Sequence, residues 1–169
     1  MEGKNSFTDV PQEPGTDWYY NAVTWAQKNN IMSGYGDGTF QPSADITREQ
    51  LVTVFHNYAR YKGYDVAALD GLAAFADAGE VSPWARDAMV WATHIKLMKG
   101  NGDGKLNPKG NATRAEVAAM LRSFINYYRL EPPAASVGGN GTAGGTGNTG
   151  GWKPRVTSPQ TGDSSGIGL

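Results

Sequence analysis

The sequence has 169 residues, 39% of them hydrophobic, and a formal net charge of −1 at pH 7. This length suffices for one domain, and the absence of a basic run argues against nucleic-acid binding through phosphate neutralisation. The sequence contains no cysteine, which excludes disulfides and cysteine-ligated metal sites. It has no apolar run of the roughly 20 residues that a membrane-spanning helix needs. Residues 1–5 lack the apolar stretch of a signal peptide, so we expect either a cytoplasmic chain or an export signal encoded upstream.

An internal repeat is the most informative feature of the sequence. From the first tryptophan onward, equivalent residues of the two copies are 66 positions apart, without a gap. The first copy contains Phe7, Asp9, Trp18, Ala22, Trp25, Ala26, Ile31, Gly34, Gly36, Asp37, Gly38, Phe40, Pro42, Thr47 and Arg48, and the second contains Phe75, Asp77, Trp84, Ala88, Trp91, Ala92, Leu97, Gly100, Gly102, Asp103, Gly104, Leu106, Pro108, Thr113 and Arg114. Each copy is therefore one structural unit, too small to be stable alone and expected to pack on the other.

Each copy is predicted to begin with an amphipathic helix. Apolar residues follow at three- and four-residue steps from the first tryptophan of each copy. Thr16 can cap the first of these helices, and Ser82 can cap the other, with Pro83 at its first position. The pattern predicts helices over residues 16–30 and 82–98.

Glycine-rich loops follow these helices at residues 34–38 and 100–104. Both contain the tripeptide Gly-Asp-Gly, as calcium loops do, but both lack the first acid and the closing glutamate of such a loop. We therefore predict shaped turns without a metal. Gly34 and Gly100 are expected to allow close approach of the backbone to a neighbouring segment or to a sugar.

A capping box opens the second helix of each copy. Thr47 pairs with Gln50 and Thr113 with Glu116, three residues further on, before an apolar stripe. These signals predict helices over residues 47–61 and 113–129.

These elements predict an all-α fold of tandem helix–loop–helix repeats, at about 7–61 and 75–129, within a domain of residues 1–131. Residues 132–169 are rich in glycine, threonine and serine and are expected to form a disordered linker and tail. No cofactor is expected.

The ordered motifs resemble those of the S-layer homology family. The segments that carry the resemblance are Phe7-Thr8-Asp9-Val10, Gly36-Asp37-Gly38-Thr39-Phe40-Gln41-Pro42, Ile46-Thr47-Arg48-Glu49-Gln50 and Ala112-Thr113-Arg114-Ala115-Glu116. The resemblance implies an all-helical, extracellular domain that anchors proteins non-covalently to the bacterial cell wall. The ligand it implies is a secondary cell-wall polysaccharide, often carrying ketal-linked pyruvate.

The family normally arranges three repeats around a pseudo-threefold axis, with ligand grooves between neighbours. This sequence contains two repeats, so we expect a third from the region upstream or from another chain. Open apolar stripes predict that the isolated chain either forms a homo-oligomer, or covers the gap with its own linker, residues 61–74.

Arg48 and Arg114 are the first candidates for ligand contact. Each lies at the positive end of a helix dipole, where a cation is unfavourable unless an anion compensates. An arginine fork beside free helix amides is suited to a carboxylate. The alternative is an internal salt bridge, for example with Asp9 or Asp77.

The tryptophans that open the first helices, Trp18 and Trp84, are candidates for stacking on a sugar ring. Each is followed seven residues later by another tryptophan, and such spacing is also typical of a core. We expect one tryptophan of each pair to be buried, with Trp18 or Trp84 at the edge of a groove.

The sequence does not indicate an enzyme. The two histidines, His56 and His94, are not repeated, and no nucleophile motif, metal pair or paired-carboxylate motif stands out. The segment from Ser158 to Asp163 is similar to a sortase sorting signal, in which Thr161 would be the attachment point, although chance similarity in such a tail is equally compatible. We therefore predict wall anchoring through a groove between repeats, and as the alternative a self-associating assembly module whose tail attaches to the wall.

Overall fold

A computed structural model of the protein describes residues 4–11, 13, 17–68 and 71–130. Four α-helices follow one another in this part of the chain, and three short 3₁₀ turns lie between the second and the third. The α-helices are α1 (Tyr20–Lys28), α2 (Arg48–Tyr61), α3 (Arg86–His94) and α4 (Arg114–Tyr128), and the turns are Leu72–Ala74, Ala78–Glu80 and Pro83–Ala85. The described residues form no β-strand, only an isolated antiparallel bridge between Thr47 and Asn111. The prediction of an all-α fold is confirmed.

The capping boxes are formed as predicted at both second helices. The Thr47 hydroxyl accepts the Gln50 backbone N–H, and the Gln50 side chain accepts the Thr47 N–H. Thr113 and Glu116 make the same reciprocal pair at α4. These local bonds satisfy amides that a helix start leaves free, which explains why both helices begin where the sequence indicated.

The first helices are shorter than predicted. Thr16 lies outside the described residues, and α1 begins at Tyr20. Ser82 does not cap a helix, because a 3₁₀ turn precedes α3 and the Ser82 hydroxyl donates to Glu49 instead, at 2.9 Å. At the other end, Asn30 and Lys96 adopt left-handed φ values of 55° and 59°, which ends both helices before their predicted last residues.

In both repeats the aspartate of the Phe-x-Asp motif binds the segment that follows the glycine loop. The Asp9 carboxylate accepts the backbone N–H groups of Phe40 and Gln41 at 2.8 and 2.7 Å. The Asp77 carboxylate does the same for the equivalent pair in the second repeat, at 2.9 and 2.7 Å. The bond from Phe40 is the main cause that holds the pKa of Asp9 below its ordinary value. Each aspartate thus fastens the start of its repeat to the end of its loop.

The main hydrophobic core is built by the second repeat together with α2. In it α2 packs on α3 and on the turn before α3, and the Phe124 ring of α4 lies 5.3 Å from the Phe55 ring and 6.4 Å from the Trp91 ring. The buried core residues include Val52, Ala59, Leu72, Ala85, Met89, Trp91, Ala92, Met98, Leu106 and Phe124.

The linker between the repeats packs on one side of this core. Tyr64 is buried and stacks on Tyr128 with 4.4 Å between ring centroids, and the Tyr128 hydroxyl donates to the Asp65 carbonyl at 2.8 Å. By contrast, α1 contributes Val23 to a small separate cluster with Phe7 and Val10.

Residues 131–169 lie outside the described residues, and with them the predicted disordered tail and Thr161 of the sorting-signal motif. No helix among the described residues has the length and apolar content needed to cross a membrane.

Candidate functional site

A groove of about 880 Å³ lies where the two repeats meet. The first repeat supplies its glycine loop, the segment before α2 and one face of α2, and the second repeat supplies three side chains. Its lining includes Gly34, Tyr35, Gln50 and Asn57 from the first repeat and Ser82, Trp84 and Lys109 from the second. The groove is therefore a product of the packing of two repeats and would not exist in either repeat alone.

Trp84 forms one edge of the groove and is 58% exposed. It lies in the turn Pro83–Ala85, which packs against α2, so the indole is held beside the groove although most of it remains in contact with solvent. An exposed indole beside a polar groove can stack on the apolar face of a sugar ring.

A polar cluster joins the repeats at the floor of the groove. The buried Glu49 carboxylate accepts the Ser82 backbone N–H at 3.0 Å and the Ser82 hydroxyl at 2.9 Å. The Lys109 ammonium lies 2.6 Å from the same carboxylate, while half of the Lys109 side chain remains exposed. The cluster neutralises a buried charge, fixes the turn that carries Trp84, and places a cation at the groove.

The sequence analysis did not identify this cluster. Its members are separated by 33 and 60 residues along the chain, and the repeat does not duplicate them. The sequence contains one indication of the cluster, because the two repeats differ at these positions. Ala115 is the equivalent of Glu49, and Ser43 is the equivalent of Lys109.

Gly34 lines the groove and is required by packing. Its φ is +68°, and a Cβ atom there would lie 2.4 Å from the Phe7 ring and 2.5 Å from the Thr39 carbonyl oxygen. Gly100 holds the equivalent position in the second loop, where a Cβ atom would lie 3.0 Å from the Lys105 carbonyl oxygen. The neighbour that both glycines approach closely is therefore a segment of their own repeat.

The two arginines differ sharply in their surroundings. Arg48 is 5% exposed, and its guanidinium forms an ion pair with Glu116 and donates to the Leu106 carbonyl at 2.8 Å. Arg114 is exposed, and no carboxylate among the described residues lies within ion-pair distance of it. Arg48 therefore connects the two repeats within their buried interface. The predicted partners Asp9 and Asp77 were wrong, because those carboxylates bind loop amides.

The structure brings two of the six candidate residues together at the groove, Gly34 and Trp84. Trp18 is 92% exposed and does not line the groove, and neither do Gly100 and Arg114. The expectation of one buried tryptophan in each pair holds for the second repeat, where Trp91 is fully buried, and was wrong for the first, where Trp25 is also exposed.

Metal binding has no support in the part of the chain that the structure describes, since no three histidine, aspartate or glutamate side chains cluster there. What the groove offers is an aromatic edge, a cation and hydrogen-bonding side chains such as Gln50 and Asn57. These groups suit non-covalent binding of a polar, ring-containing ligand.

Comparison with known proteins agrees with this arrangement. The family model described as "S-layer homology domain" matches residues 6–52 and 74–118, which is more than half of the chain and one match for each repeat. The chain is 30% identical over 134 residues to a surface-layer 125 kDa protein of Lysinibacillus sphaericus, covering 78% of the chain and 11% of that protein. It is 30% identical over 119 residues to a cellulosome-anchoring protein of Acetivibrio thermocellus, covering 69% of the chain and 24% of that protein.

An amylopullulanase of Thermoanaerobacterium thermosulfurigenes is 34% identical over 123 residues, which are 70% of the chain and 6% of the enzyme. The chain thus spans less than a quarter of the length of each of these three relatives, and the enzyme's name is no guide to an activity of this chain. The matched family is a cell-wall binding module rather than a catalytic domain. With two family matches in register with its two structural repeats, the chain belongs to the S-layer homology family of cell-surface modules.

Proposed function

We propose that the chain anchors a surface protein non-covalently to a secondary cell-wall polysaccharide, which binds in the groove between the repeats. The observation that carries the proposal is the joint presence of Trp84 and Lys109 at this groove, one as an exposed ring and the other as a cation. The names of two relatives, a surface-layer protein and a cellulosome-anchoring protein, support the general part of the proposal, which is anchoring at the cell surface.

The chemistry of the groove favours an anionic sugar. A sugar ring stacks on Trp84, and its hydroxyl groups exchange hydrogen bonds with Gln50 and Asn57. Lys109 attracts a carboxylate on the sugar, such as that of a pyruvate ketal, although Glu49 offsets part of this charge. At about 880 Å³ the groove is large enough for a short stretch of glycan.

The remaining candidate residues, Trp18, Gly100 and Arg114, lie where further repeats would pack on this pair. The complete groove uses the loop of one repeat and the tryptophan of the next. By repeat equivalence, Trp18 would form the edge of a groove with a repeat on one side of this pair. Gly100 would form the wall of a groove with a repeat on the other side, and such a repeat would bury Arg114 as the second repeat buries Arg48. We propose ligand contact for Trp18 and Gly100 only where such a neighbour is present, and for Arg114 only where none buries it.

Titration with purified wall polysaccharide tests the proposal with a matched pair of variants. Trp84→Ala should weaken binding by about tenfold or more, because a stacking surface worth about 1.4 kcal/mol is lost. Trp18→Ala removes the equivalent indole outside the groove and should leave the affinity of the isolated chain within about twofold. Equal affinity of both variants and the unmodified chain would refute the groove as the binding site.

Self-association is a second candidate function, favoured by the complementarity of two uncovered faces. Repeat equivalence relates Trp25 on α1 to the buried Trp91, and Leu121 on α4 to Phe55. Trp25 is 37% exposed and Leu121 is 48% exposed, whereas Trp91 is fully buried and Phe55 packs against the same core, where α2 packs on α3. We infer that α1 of a second copy packs on α4 as α3 packs on α2.

Light scattering across a concentration series tests this assembly. The unmodified chain should associate, and Leu121→Arg should make it monomeric, while His94→Arg, which adds a charge at an exposed position at the end of α3 and outside both faces, should not. A monomer at every concentration would refute self-association and leave wall binding untouched.

A further inference from the structure

A second cavity, of about 640 Å³, lies towards the C-terminal end of α2 and shares no lining residue with the groove. Three segments build it: the end of α2, the linker between the repeats and the first half of α3. Its lining residues are His56, Arg60, Val66, Ala68, Arg86, Asp87 and Val90.

The wall of the cavity carries an excess of positive charge. Arg60 and Arg86 are exposed, and neither has a carboxylate within ion-pair distance among the described residues. Asp87 is the single acid among the described residues of the wall, so the fixed charges of these residues add to about +1. Arg86 also occupies the first position of α3, where the helix dipole disfavours a cation. A bound anion would offset the excess positive charge of the wall and the unfavourable position of Arg86 at the helix start.

His56 supplies a polar group inside the cavity. Its side chain is 9% exposed and lines the cavity wall. The edge of its ring meets Trp91, with 5.3 Å between centroids. Burial is the main cause that lowers the pKa of His56, and the charge of Arg60 adds to it. The lowered pKa favours the neutral imidazole, which adds no fixed charge to the wall.

Nothing in the repeat itself requires this constellation. The equivalents of His56, Arg60 and Arg86 in the other repeat are Arg122, Asn126 and Tyr20. The polar wall is therefore a property of this one interface between α2 and α3, and a duplicated packing motif does not account for it.

We propose that this cavity binds a carboxylate group of a small sugar acid or a comparable organic acid. The guanidinium groups of Arg60 and Arg86 bind the carboxylate oxygens, and the His56 ring forms part of the wall beside them. A singly charged group matches the charge of the wall, and the volume accommodates a ring of sugar size. Val66 and Val90 provide apolar contact for the remainder of the ligand.

Nuclear magnetic resonance titration with glucuronate tests this site, with glucose as the probe that lacks the carboxylate. Glucuronate should shift the His56 imidazole resonances saturably, and glucose should not. The exposed His94 on the opposite end of α3 should not respond to either sugar, which makes it an internal reference. Absence of a saturable shift at His56 would overturn the proposal, and so would an equal response to glucose.

A matched pair of charge variants separates a built site from general attraction of anions. Arg86→Gln should weaken glucuronate binding about tenfold, while Lys62→Gln removes the same charge from an exposed position just after α2 and should change it less than about twofold. If Arg86→Gln unfolds the chain, Arg60→Gln takes its place. Equal weakening in both variants, or tighter binding of inorganic phosphate than of glucuronate, would overturn the assignment of a carboxylate site.

Discussion

The first helices of the two repeats share a sequence pattern but differ in what surrounds them. In α3, Trp91 is fully buried between α2 and α4, and Ala88 and Ile95 are buried with it. In α1 the equivalent Trp25 is exposed, and its ring lies 5.6 Å from that of Tyr61 at the end of α2. No other helix packs closely on α1 in the described part of the chain.

This difference shows that a repeat of this kind buries its first helix against the second helix of the repeat before it. The helix α3 has such a predecessor in α2, and α1 has none among the described residues. The stability of each repeat is therefore shared with its neighbour, as in other repeat proteins. Substitutions at three pairs of equivalent positions test this difference between the repeats.

The largest difference is expected between the tryptophans. Trp91→Ala should lower the free energy of unfolding by about 3–5 kcal/mol, since it opens a cavity in the core. Trp25→Ala should lower it by less than about 1 kcal/mol, because solvent already reaches the ring. Urea denaturation followed by circular dichroism measures both values. Similar losses would show that α1 is as well packed as α3, contrary to the structure.

The second largest difference in stability is expected between substitutions of Arg48 and Arg114. Arg48→Ala should cost about 2–3 kcal/mol, since it removes a buried guanidinium and leaves the Leu106 carbonyl and Glu116 without their donor. Arg114→Ala should stay within about 0.5 kcal/mol, as expected for an exposed position without a partner. Thermal unfolding of both variants provides the measurement. A stable Arg48→Ala protein would return Arg48 to the list of residues free to bind a ligand.

The smallest of the three differences concerns the aspartates of the Phe-x-Asp motifs. Burial by itself would raise the pKa of Asp77, but the Leu106 and Asn107 amides outweigh it and hold the pKa below its ordinary value. Such a carboxylate stabilises the fold above its unfolded pKa, near 4, and the contribution is lost as the pH falls through the lower folded pKa. Asp77→Asn should therefore cost about 2 kcal/mol at pH 7 and flatten the loss of stability in acid.

Asp9→Asn is the matched control for this effect. Asp9 makes the same two bonds at an exposed position, so solvent screens its charge and the loss should be smaller than for Asp77→Asn. Unfolding curves recorded between pH 2 and 7 would show both slopes. A larger effect at Asp9 would contradict the account based on burial.

The parts of the fold that the sequence predicted correctly depend on local chemistry. A capping box joins residues three positions apart, so Thr47 and Thr113 identified the starts of α2 and α4 directly. Ser82 was predicted as a helix cap from the same kind of local pattern, and this prediction was wrong. Its hydroxyl binds Glu49, which is far away in sequence. Local propensity gives way where a tertiary bond satisfies the same group.

The groove was predictable in outline and not in its polar detail. The repeat pattern indicated a site between two units and identified Gly34 and Trp84 as parts of it. It could not distinguish Arg48 from Arg114, because equivalent residues look the same in sequence and only the neighbouring repeat buries one of them. Glu49 and Lys109 were missed since neither is duplicated.

The attachment of Asp9 and Asp77 to the loops beyond their first helices has a consequence for domain engineering. The bonds of Asp9 connect positions 31 and 32 residues apart, so the contiguous unit of this fold starts at the Phe-x-Asp motif and not at the first helix. A cassette moved between proteins, or added to extend this array, keeps its loop shape only if the cut precedes that motif. A cut between the motif and the helix would give a fragment with the right helices and a loop without the carboxylate that binds its last amides.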